Sequence, residues 1–376
     1  MEKLTDWAEL NTLRMRMSRA HQLNRREENL TIAWTLSEAA TPSDAALIAR
    51  IGDAYRASGA SEQAAGNSMW LAFMRENLAM HEALLCGDAA HVASVFVDPA
   101  RTNQFIGFDA IYLGCLQWMA TDGNAKDWLA RQVYDCLLRT AEAVGVIRLE
   151  NPEQYHADPP RLLDVDEVLQ KLDRAFGFPI KFPNPYPNEC GIESSRGLVG
   201  YRAIQGLFQA WRMAELLKGR RSARVLEIGA GLGRTAFYAW SFGIKDYTIV
   251  DLPFTNTSQA HYLGTTLGAD AISLSGEPQC LETIKISTAD SFHATASKFD
   301  LVLNVDSFTE IDEQMAQGYW NAIESRTPLL LSINHEHNAF TVRDFIEKSK
   351  AVTRSTRTPY WLRPGYVEEI VEFQSI

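Results

Sequence analysis

Residues 223–253 read ARVLEIGAGLGRTAFYAWSFGIKDYTIVDLP, and this stretch decides the fold class of the chain. An apolar run at its start predicts a buried strand, and Gly229, Gly231 and Gly233 at alternate positions predict a turn with positive φ angles. A helix is predicted after these glycines, followed by a second strand that ends at Asp251. This order predicts the part of a doubly wound α/β sheet that binds the adenosine end of a cofactor.

The acidic residue Glu227 helps to decide between two classes of cofactor. The dinucleotide pattern G-x-G-x-x-G/A fails at Arg234 when it is read from Gly229, and it nearly fits when it is read from Gly231. A carboxylate two residues before the first glycine would repel a pyrophosphate, but it would attract the sulfonium and ammonium groups of S-adenosylmethionine (SAM). Asp251 is placed to accept hydrogen bonds from both ribose hydroxyls. The sequence therefore predicts SAM as the cofactor.

Residues 193–376 continue the α/β pattern. Further apolar segments predict strands near 224–228, 246–251, 283–287, 299–304 and 328–334. A helix is predicted over 195–217, and segment 361–373 fits either an antiparallel pair or a strand with a short helix. Strands that alternate with helices predict a doubly wound, mostly parallel, Rossmann-like sheet.

The first 178 residues carry a helical pattern, with apolar residues at spacings of three and four. The predicted helical segments are 31–57, 61–87, 104–121 and 125–146. A proline-rich run marks a connection over 179–192. We therefore expect an all-helical N-terminal domain over 1–178 and a SAM-binding domain over 193–376. The helical domain is expected to bind the acceptor, to form a homodimer, or to do both.

Composition restricts the partners of this chain. It has 376 residues, 46% of them hydrophobic, and a formal net charge of −11, which argues against nucleic acid as a ligand. Its five cysteines are scattered without a C-x-x-C pair, as in a cytoplasmic protein without a zinc site. No apolar run is long enough for a membrane span, and the N-terminus does not read as a signal peptide.

Polar residues near the predicted cofactor mouth are assigned to SAM. Arg196, Arg202 and Gln205 are candidates for the methionine carboxylate, since arginine pairs well with carboxylates; the alternative is a surface position. Asp290 and Ser291, after the third strand, are candidates for the adenine, the alternative being a helix N-cap. Four further contacts are predicted beside the same elements, at Tyr201, Ala230, Leu252 and Asn304.

The ends of the fourth and fifth strands carry the candidate catalytic residues. Asp306 and Glu310 follow one strand, and His335 follows the other. His335 is predicted to be the general base, with Asp306 orienting it or replacing it. The alternatives are helix capping by the two acids and ordinary loop polarity around the histidine.

A Mg²⁺-dependent site is kept as an alternative mechanism. Asp306, Glu310 and Glu336 offer the oxygen ligands that Mg²⁺ prefers, and this ion needs few protein ligands. His335 and His337 stand at alternate positions, which in a strand point to opposite sides, so a two-histidine site is not implied.

Several segments together resemble class I SAM-dependent methyltransferases, and in particular the sugar O-methyltransferase family. They are ESSRGLVGYRAIQGLFQAWRM (193–213), VLEIGAGLGRTAFYAW (225–240), YTIVDLPFTNTSQAHYLG (247–264), ISLSGE (272–277), NVDSFTEI (304–311) and SINHEHNAF (332–340). The likeness covers about 190–340, and TNQFIGFD at 102–109 resembles the family more weakly. The resemblance implies a SAM cofactor and transfer of a methyl group to a sugar or a glycosylated small molecule.

Two other functions remain open at this level. One is a small-molecule methyltransferase with a non-sugar acceptor, at oxygen, nitrogen or carbon. The other is a SAM-binding scaffold without catalysis. A nicotinamide-dependent oxidoreductase would need a catalytic Tyr/Lys or Cys pair, and no such spacing is found in the sequence.

Overall fold

The computed structural model describes residues 32–38, 44–60, 69–123, 125–149, 163–220 and 222–374. Within them the chain forms an eight-stranded sheet flanked by helices, and a two-stranded sheet. The strands are β1 (Trp34–Leu36), β2 (Cys190–Ile192), β3 (Arg224–Ile228), β4 (Asp246–Val250), β5 (Ile272–Ser273), β6 (Ile284–Ser287), β7 (Leu301–Val305), β8 (Leu329–His335), β9 (Val352–Pro359) and β10 (Tyr366–Phe373). The helices are α1 (Ala45–Ala57), α2 (Met69–Glu76), α3 (Leu78–Cys86), α4 (Ala89–Val97), α5 (Leu113–Thr121), α6 (Ala125–Val144), α7 (Val165–Phe176), α8 (Tyr201–Leu216), α9 (Arg234–Ser241), α10 (Pro253–Leu267), α11 (Ala289–Ala294), α12 (Glu313–Glu324) and α13 (Val342–Lys348).

The large sheet is doubly wound and mostly parallel, which confirms the predicted fold class. Its strand order is β5-β6-β4-β3-β7-β8-β10-β9. Neighbours from β5 to β8 pair in parallel, whereas β10 pairs antiparallel with both β8 and β9. Among the described strands of this sheet only β10 therefore runs against the others. Because parallel strands end at one edge of a sheet, the residues that follow β3, β4, β6, β7 and β8 meet there.

The central strands are buried on both faces of the sheet. Val225 of β3 belongs to the core cluster on one face, and its neighbour Leu226 belongs to the cluster on the other. Leu301 and Val302 of β7 divide in the same way, since successive strand residues point to opposite sides. Burial on both faces explains why these strands read as continuous apolar runs, which makes them predictable.

Among the described residues of the N-terminal part, the regular elements are helices with the exception of β1, which pairs antiparallel with β2. The helix expected over 31–57 begins only at Ala45, because the side chain of Asp44 caps its first turn. The helix expected over 104–121 begins at Leu113.

The other two expected N-terminal helices are present in the part that the structure describes. Helices α2 and α3 occupy the expected segment 61–87, of which 61–68 lies outside the described residues, as does 1–31. Helix α6 occupies the expected segment 125–146. No described helix combines the length and the apolar character that crossing a bilayer requires.

One hydrophobic core runs across the predicted boundary between 1–178 and 193–376. Leu47 of α1 and Leu263 of α10 belong to the same buried cluster. A Cβ atom at Gly264 would lie 2.9 Å from the side chain of Leu47, so α1 and α10 pack closely. The two parts therefore share one core. The division of the chain into two domains stays a prediction.

The C-terminal strands β9 and β10 form an antiparallel hairpin, and segment 361–373 holds the turn and one strand of it, which matches neither of the two alternatives predicted for that segment. Tyr366, at the start of β10, pairs with His335, at the end of β8. The turn between β9 and β10 therefore lies at the edge of the sheet where the parallel strands end.

Candidate active site

A cavity of about 610 Å³ opens at this edge of the sheet. The turn after β3, the segment after β4, the start of α11, the segment after β7 and one face of α8 all contribute to its wall. The N-terminal part contributes a wall with three aromatic side chains, and its residues are Tyr55, Ala60, Phe73, Met74, Gly107, Phe108 and Asp109. Both halves of the chain therefore enclose one cavity.

The turn after β3 has a left-handed backbone at each predicted glycine, with φ of 74°, 56° and 86° at Gly229, Gly231 and Gly233. Gly229 and Gly231 line the cavity. A Cβ atom at Gly229 would collide with Oγ of Ser307, and one at Gly231 would lie 3.2 Å from Cβ of Phe108. Both backbone conformation and space thus require glycine at these two positions.

Gly233 has a packing role instead of the predicted cofactor contact. It lies outside the cavity wall and is the N-cap of α9. A Cβ atom at this position would lie 3.0 Å from Leu263 of α10. Its small size therefore allows α9 and α10 to approach each other.

Asp251 holds the turn after β3 in place from the end of β4. One carboxylate oxygen accepts hydrogen bonds from the N–H of Ala230, at 3.0 Å, and from Nε2 of Gln259, at 2.7 Å. The other accepts the N–H of Leu252, at 2.8 Å. Burial raises the pKa of Asp251 to about 6, although these hydrogen bonds oppose the shift. The predicted contacts Asp251, Ala230 and Leu252 all line the cavity.

Glu227 lies beneath the glycine turn with 1% of its surface exposed, and it contributes to the cavity wall. Burial raises the pKa of its carboxyl group to about 8, while the hydroxyl of Tyr247, which donates to it at 2.9 Å, opposes the shift. The sequence predicted a charged carboxylate at this position, whereas burial favours the neutral acid near pH 7. A cation beside the turn would favour the ionised form.

Helix α8 contributes two of its predicted residues to the cavity, Arg202 and Gln205. Tyr201 and Arg196 lie outside the cavity wall. The guanidinium of Arg196 forms an ion pair with Asp173 at 2.6 Å, so its predicted contact with the methionine carboxylate is corrected. Tyr201 is the first residue of α8, and its cofactor contact stays a prediction.

The predicted adenine contacts separate in the structure. Asp290 lines the cavity, whereas Ser291 lies outside it. Thr288 caps α11 and accepts the backbone N–H of Ser291, which is the alternative that the sequence left open.

Asn304 is buried between strands and lies outside the cavity wall. Its Nδ2 donates to the carbonyl of Ile228 at 2.9 Å, and its Oδ1 accepts from Nδ2 of Asn334 at 2.8 Å. It therefore joins the ends of β3, β7 and β8, and its predicted cofactor contact is corrected to this structural role.

The three predicted catalytic residues lie together. Nε2 of His335 lies 3.7 Å from a carboxylate oxygen of Asp306 and 3.9 Å from one of Glu310. Asp306 and Glu310 line the cavity, whereas His335 stands behind them. Asp306 has a φ of 53°, a left-handed conformation that is uncommon outside glycine and that clusters at functional sites.

Arg363 of the β9–β10 turn and Tyr366 at the start of β10 complete this cluster. Arg363 forms an ion pair with Oδ2 of Asp306 at 2.6 Å, and the hydroxyl of Tyr366 donates to Oδ1 at 2.8 Å. Burial alone would raise the pKa of Asp306, but the Arg363 charge and the two hydrogen bonds outweigh it and lower this pKa. Burial and the charge of Asp306 raise the pKa of Glu310 to about 7.

The arrangement does not fit the alternative of a Mg²⁺ site. Both carboxylate oxygens of Asp306 are occupied, and the guanidinium of Arg363 would repel a dication. Glu336, the third predicted ligand, is bound to Arg357, with both oxygens at 2.7 Å from its guanidinium. His335, Asp306 and Glu310 could approach one ion, but Mg²⁺ prefers oxygen ligands.

Arg234 fixes the N-terminal wall of the cavity. Its guanidinium donates to Asp109 at 2.7 Å and to Glu189 at 3.1 Å, and all three side chains are buried. Gln104 donates to Oγ of Ser258 on α10, at 3.0 Å. The segment 102–109, which resembled the family only weakly, is thus bound to the helices that follow β3 and β4.

No family model matches this chain, and no curated protein matches it. Solved structures match part of it. A glycopeptide N-methyltransferase, solved with S-adenosylhomocysteine, is 16% identical over 44% of this chain and 89% of that chain, with a TM-score of 0.33. The magnesium protoporphyrin IX methyltransferase of Synechocystis, solved with SAM, is 12% identical over 47% of this chain and 86% of that chain, with a TM-score of 0.32. Both of these matches cover less than half of this chain, so function is argued from the site.

Proposed function

We propose that this protein is a SAM-dependent methyltransferase that transfers a methyl group to a hydroxyl of a sugar or of a glycosylated small molecule. The observation that carries the proposal is one cavity whose wall holds both the glycine turn with Asp251 and the carboxyl groups of Asp306 and Glu310. We assign the first set of residues to the cofactor end of the site and the second set to its acceptor end.

The first end fits the parts of SAM. The carboxylate of Asp251 accepts three hydrogen bonds and keeps one lone pair for a ribose hydroxyl, and Asp290, in the same cavity wall, can accept from the adenine amino group. Arg202 suits the methionine carboxylate, and Glu227 suits the cationic groups of the ligand. When bound, SAM supplies an activated methyl group on a sulfonium.

The second end fits a hydroxylated acceptor. An alcohol is a poor nucleophile until its proton is removed, and two carboxyl groups line this part of the cavity. Several polar side chains in one wall favour a ligand with several hydroxyl groups. The resemblance to sugar O-methyltransferases over 190–340 supports the same acceptor class.

Calorimetry tests the cofactor, with SAM, S-adenosylhomocysteine and NADH as separate ligands. SAM and S-adenosylhomocysteine should bind, and Asp251→Ala should weaken both, because it removes the ribose acceptor. Binding of NADH without binding of SAM would overturn the proposal.

Transfer of labelled methyl from SAM to a panel of sugars, glycosides and aglycones tests the reaction. Methylated product from a sugar-containing acceptor is the expected result. SAM binding without turnover on the whole panel would favour a scaffold instead.

A further inference from the structure

We infer that Glu310 takes the proton from the acceptor hydroxyl, and that His335, the predicted base, is a positioning residue that presents an N–H to the two carboxyl groups. The inference rests on the proposed function, because it assigns roles within the proposed acceptor end. It rests first on the hydrogen bond that His335 makes on its other nitrogen.

Nδ1 of His335 accepts the backbone N–H of His337, at 3.3 Å. A backbone amide can only donate, so Nδ1 must carry a lone pair. The neutral ring then has its proton on Nε2, the nitrogen that faces Asp306 and Glu310. In this tautomer Nε2 has no lone pair with which to accept a proton from the acceptor.

Asp306 is also a poor candidate for the base. Its two oxygens accept hydrogen bonds from Arg363 and Tyr366, and its carboxylate is held in the ionised form. A carboxylate stabilised in this way has a low affinity for a proton. Burial raises the pKa of the neighbouring Glu310, and the fixed negative charge of Asp306 raises it further.

Glu310 has the properties that the other two lack. It lines the cavity, and its carboxyl group accepts no hydrogen bond of 3.5 Å or less from a described residue. The charged and titratable groups that face it are Asp306, Arg202, Arg363 and His335. The raised pKa, about 7, suits proton transfer near neutral pH.

The resulting step balances. The O–H bond of the acceptor breaks, and its proton moves to a carboxylate oxygen of Glu310. The oxygen electron pair forms the new bond to the methyl carbon, and the electrons of the carbon–sulfur bond remain on sulfur as a neutral thioether. Glu310 later releases its proton to water.

A first experiment needs no turnover. ¹⁵N NMR of the imidazole of His335, in the full-length protein without ligands, reports which ring nitrogen carries the proton. We expect the Nε2–H tautomer at a pH where the ring is neutral. Detection of the Nδ1–H tautomer would overturn the inference.

A second experiment uses the pH profile of kcat/KM. The wild-type profile should rise with pH through an inflection near 7. Glu310→Gln should lower kcat by about 10²–10⁴-fold and remove the inflection, while the affinity for SAM changes less than about threefold. The exposed Glu313→Gln is the matched control and should behave as wild type.

His335→Gln keeps an N–H donor, so it should retain the inflection, displaced in pH, with a smaller loss of kcat. The inference is wrong if His335→Gln removes the inflection while Glu310→Gln keeps it. Absence of turnover by the wild-type protein would count against the proposed function, and the NMR result would still decide the tautomer.

Discussion

At the scale of single residues, the buried carboxyl group of Glu227 should make SAM binding depend on pH. Burial raises the pKa of this group to about 8, and a cationic ligand favours the ionised form. The affinity for SAM should therefore increase as pH rises from 6 to 8. Calorimetry at several pH values measures the trend.

The control for this prediction is Glu227→Gln. The α-amino group of SAM titrates near the same pH. Because the variant has no titrating group at position 227, its pH dependence shows the contribution of this amino group alone. We expect the difference between wild type and variant to grow with pH. Parallel pH dependences of the two proteins would contradict the assignment.

The same carboxyl group should lower stability at high pH. Its pKa in the folded protein, about 8, lies above the value of 4.5 that applies to an unperturbed glutamate. The folded state therefore binds more protons between these values, and stability falls as pH rises through this window. Glu227→Gln should gain at least about 1 kcal/mol relative to wild type between pH 5 and pH 8. Denaturant unfolding of both proteins at the two pH values measures this effect. If the difference in unfolding free energy between them is the same at pH 5 and pH 8, the idea is wrong.

The glycine turn allows a matched pair of substitutions. Gly229 and Gly243 have positive φ angles of 74° and 82°, but only a Cβ atom at Gly229 would meet another group, the Ser307 hydroxyl. Gly243→Ala should cost about 1 kcal/mol of stability from backbone strain alone. Gly229→Ala should cost more and should also weaken SAM binding by at least tenfold. Equal effects of the two substitutions would show that the close contact is unimportant.

At the scale of secondary-structure elements, the β9–β10 hairpin should be required for the acceptor end. Arg363→Ala leaves the carboxylate of Asp306 without its cation, so the free energy of unfolding at pH 7 should fall by about 2–3 kcal/mol. Turnover should also fall. Arg354→Ala, on the same hairpin, removes an exposed ion pair with Glu372 and should change stability by less than about 1 kcal/mol. Thermal unfolding and activity of both variants test whether Arg363→Ala loses more stability and more turnover than Arg354→Ala.

The elements with a strong local pattern were predictable from the sequence. The strands of the sheet centre are continuous apolar runs because they are buried on both faces, and the observed bounds agree closely with the predicted ones. Strand β1 was missed because its three residues are too few to show an alternation of apolar and polar side chains. Its pairing with β2 is a long-range contact, which no local pattern records.

The site was predictable where position on a strand decides the contact. Asp251, Asp306 and His335 follow parallel strands, so they meet at one edge. Arg363 and Tyr366 were missed because they reach this edge only through a reversed strand. Asn304 occupies the correct edge, but its amide is turned into the sheet, which position alone cannot reveal.

At the scale of the whole molecule, the shared core predicts that the α/β part does not fold alone. A fragment of residues 193–376 would expose the face of α10 that Leu47 covers, and it would leave Arg234 buried without Asp109 and Glu189. We expect this fragment to aggregate or to lack a cooperative unfolding transition. A soluble fragment that binds SAM as tightly as the full chain would contradict this expectation.

The position of β10 after all the other described strands has a consequence for synthesis on the ribosome. Translation delivers the glycine turn and its aspartate long before the codons for Arg363 and Tyr366 are read. The nascent polypeptide therefore carries Asp306 without the Arg363 cation and the Tyr366 hydroxyl until β10 has been synthesised. A polypeptide that terminates before Arg363 would lack both partners of Asp306 at the acceptor end, even where the glycine turn and Asp251 had already formed the cofactor end.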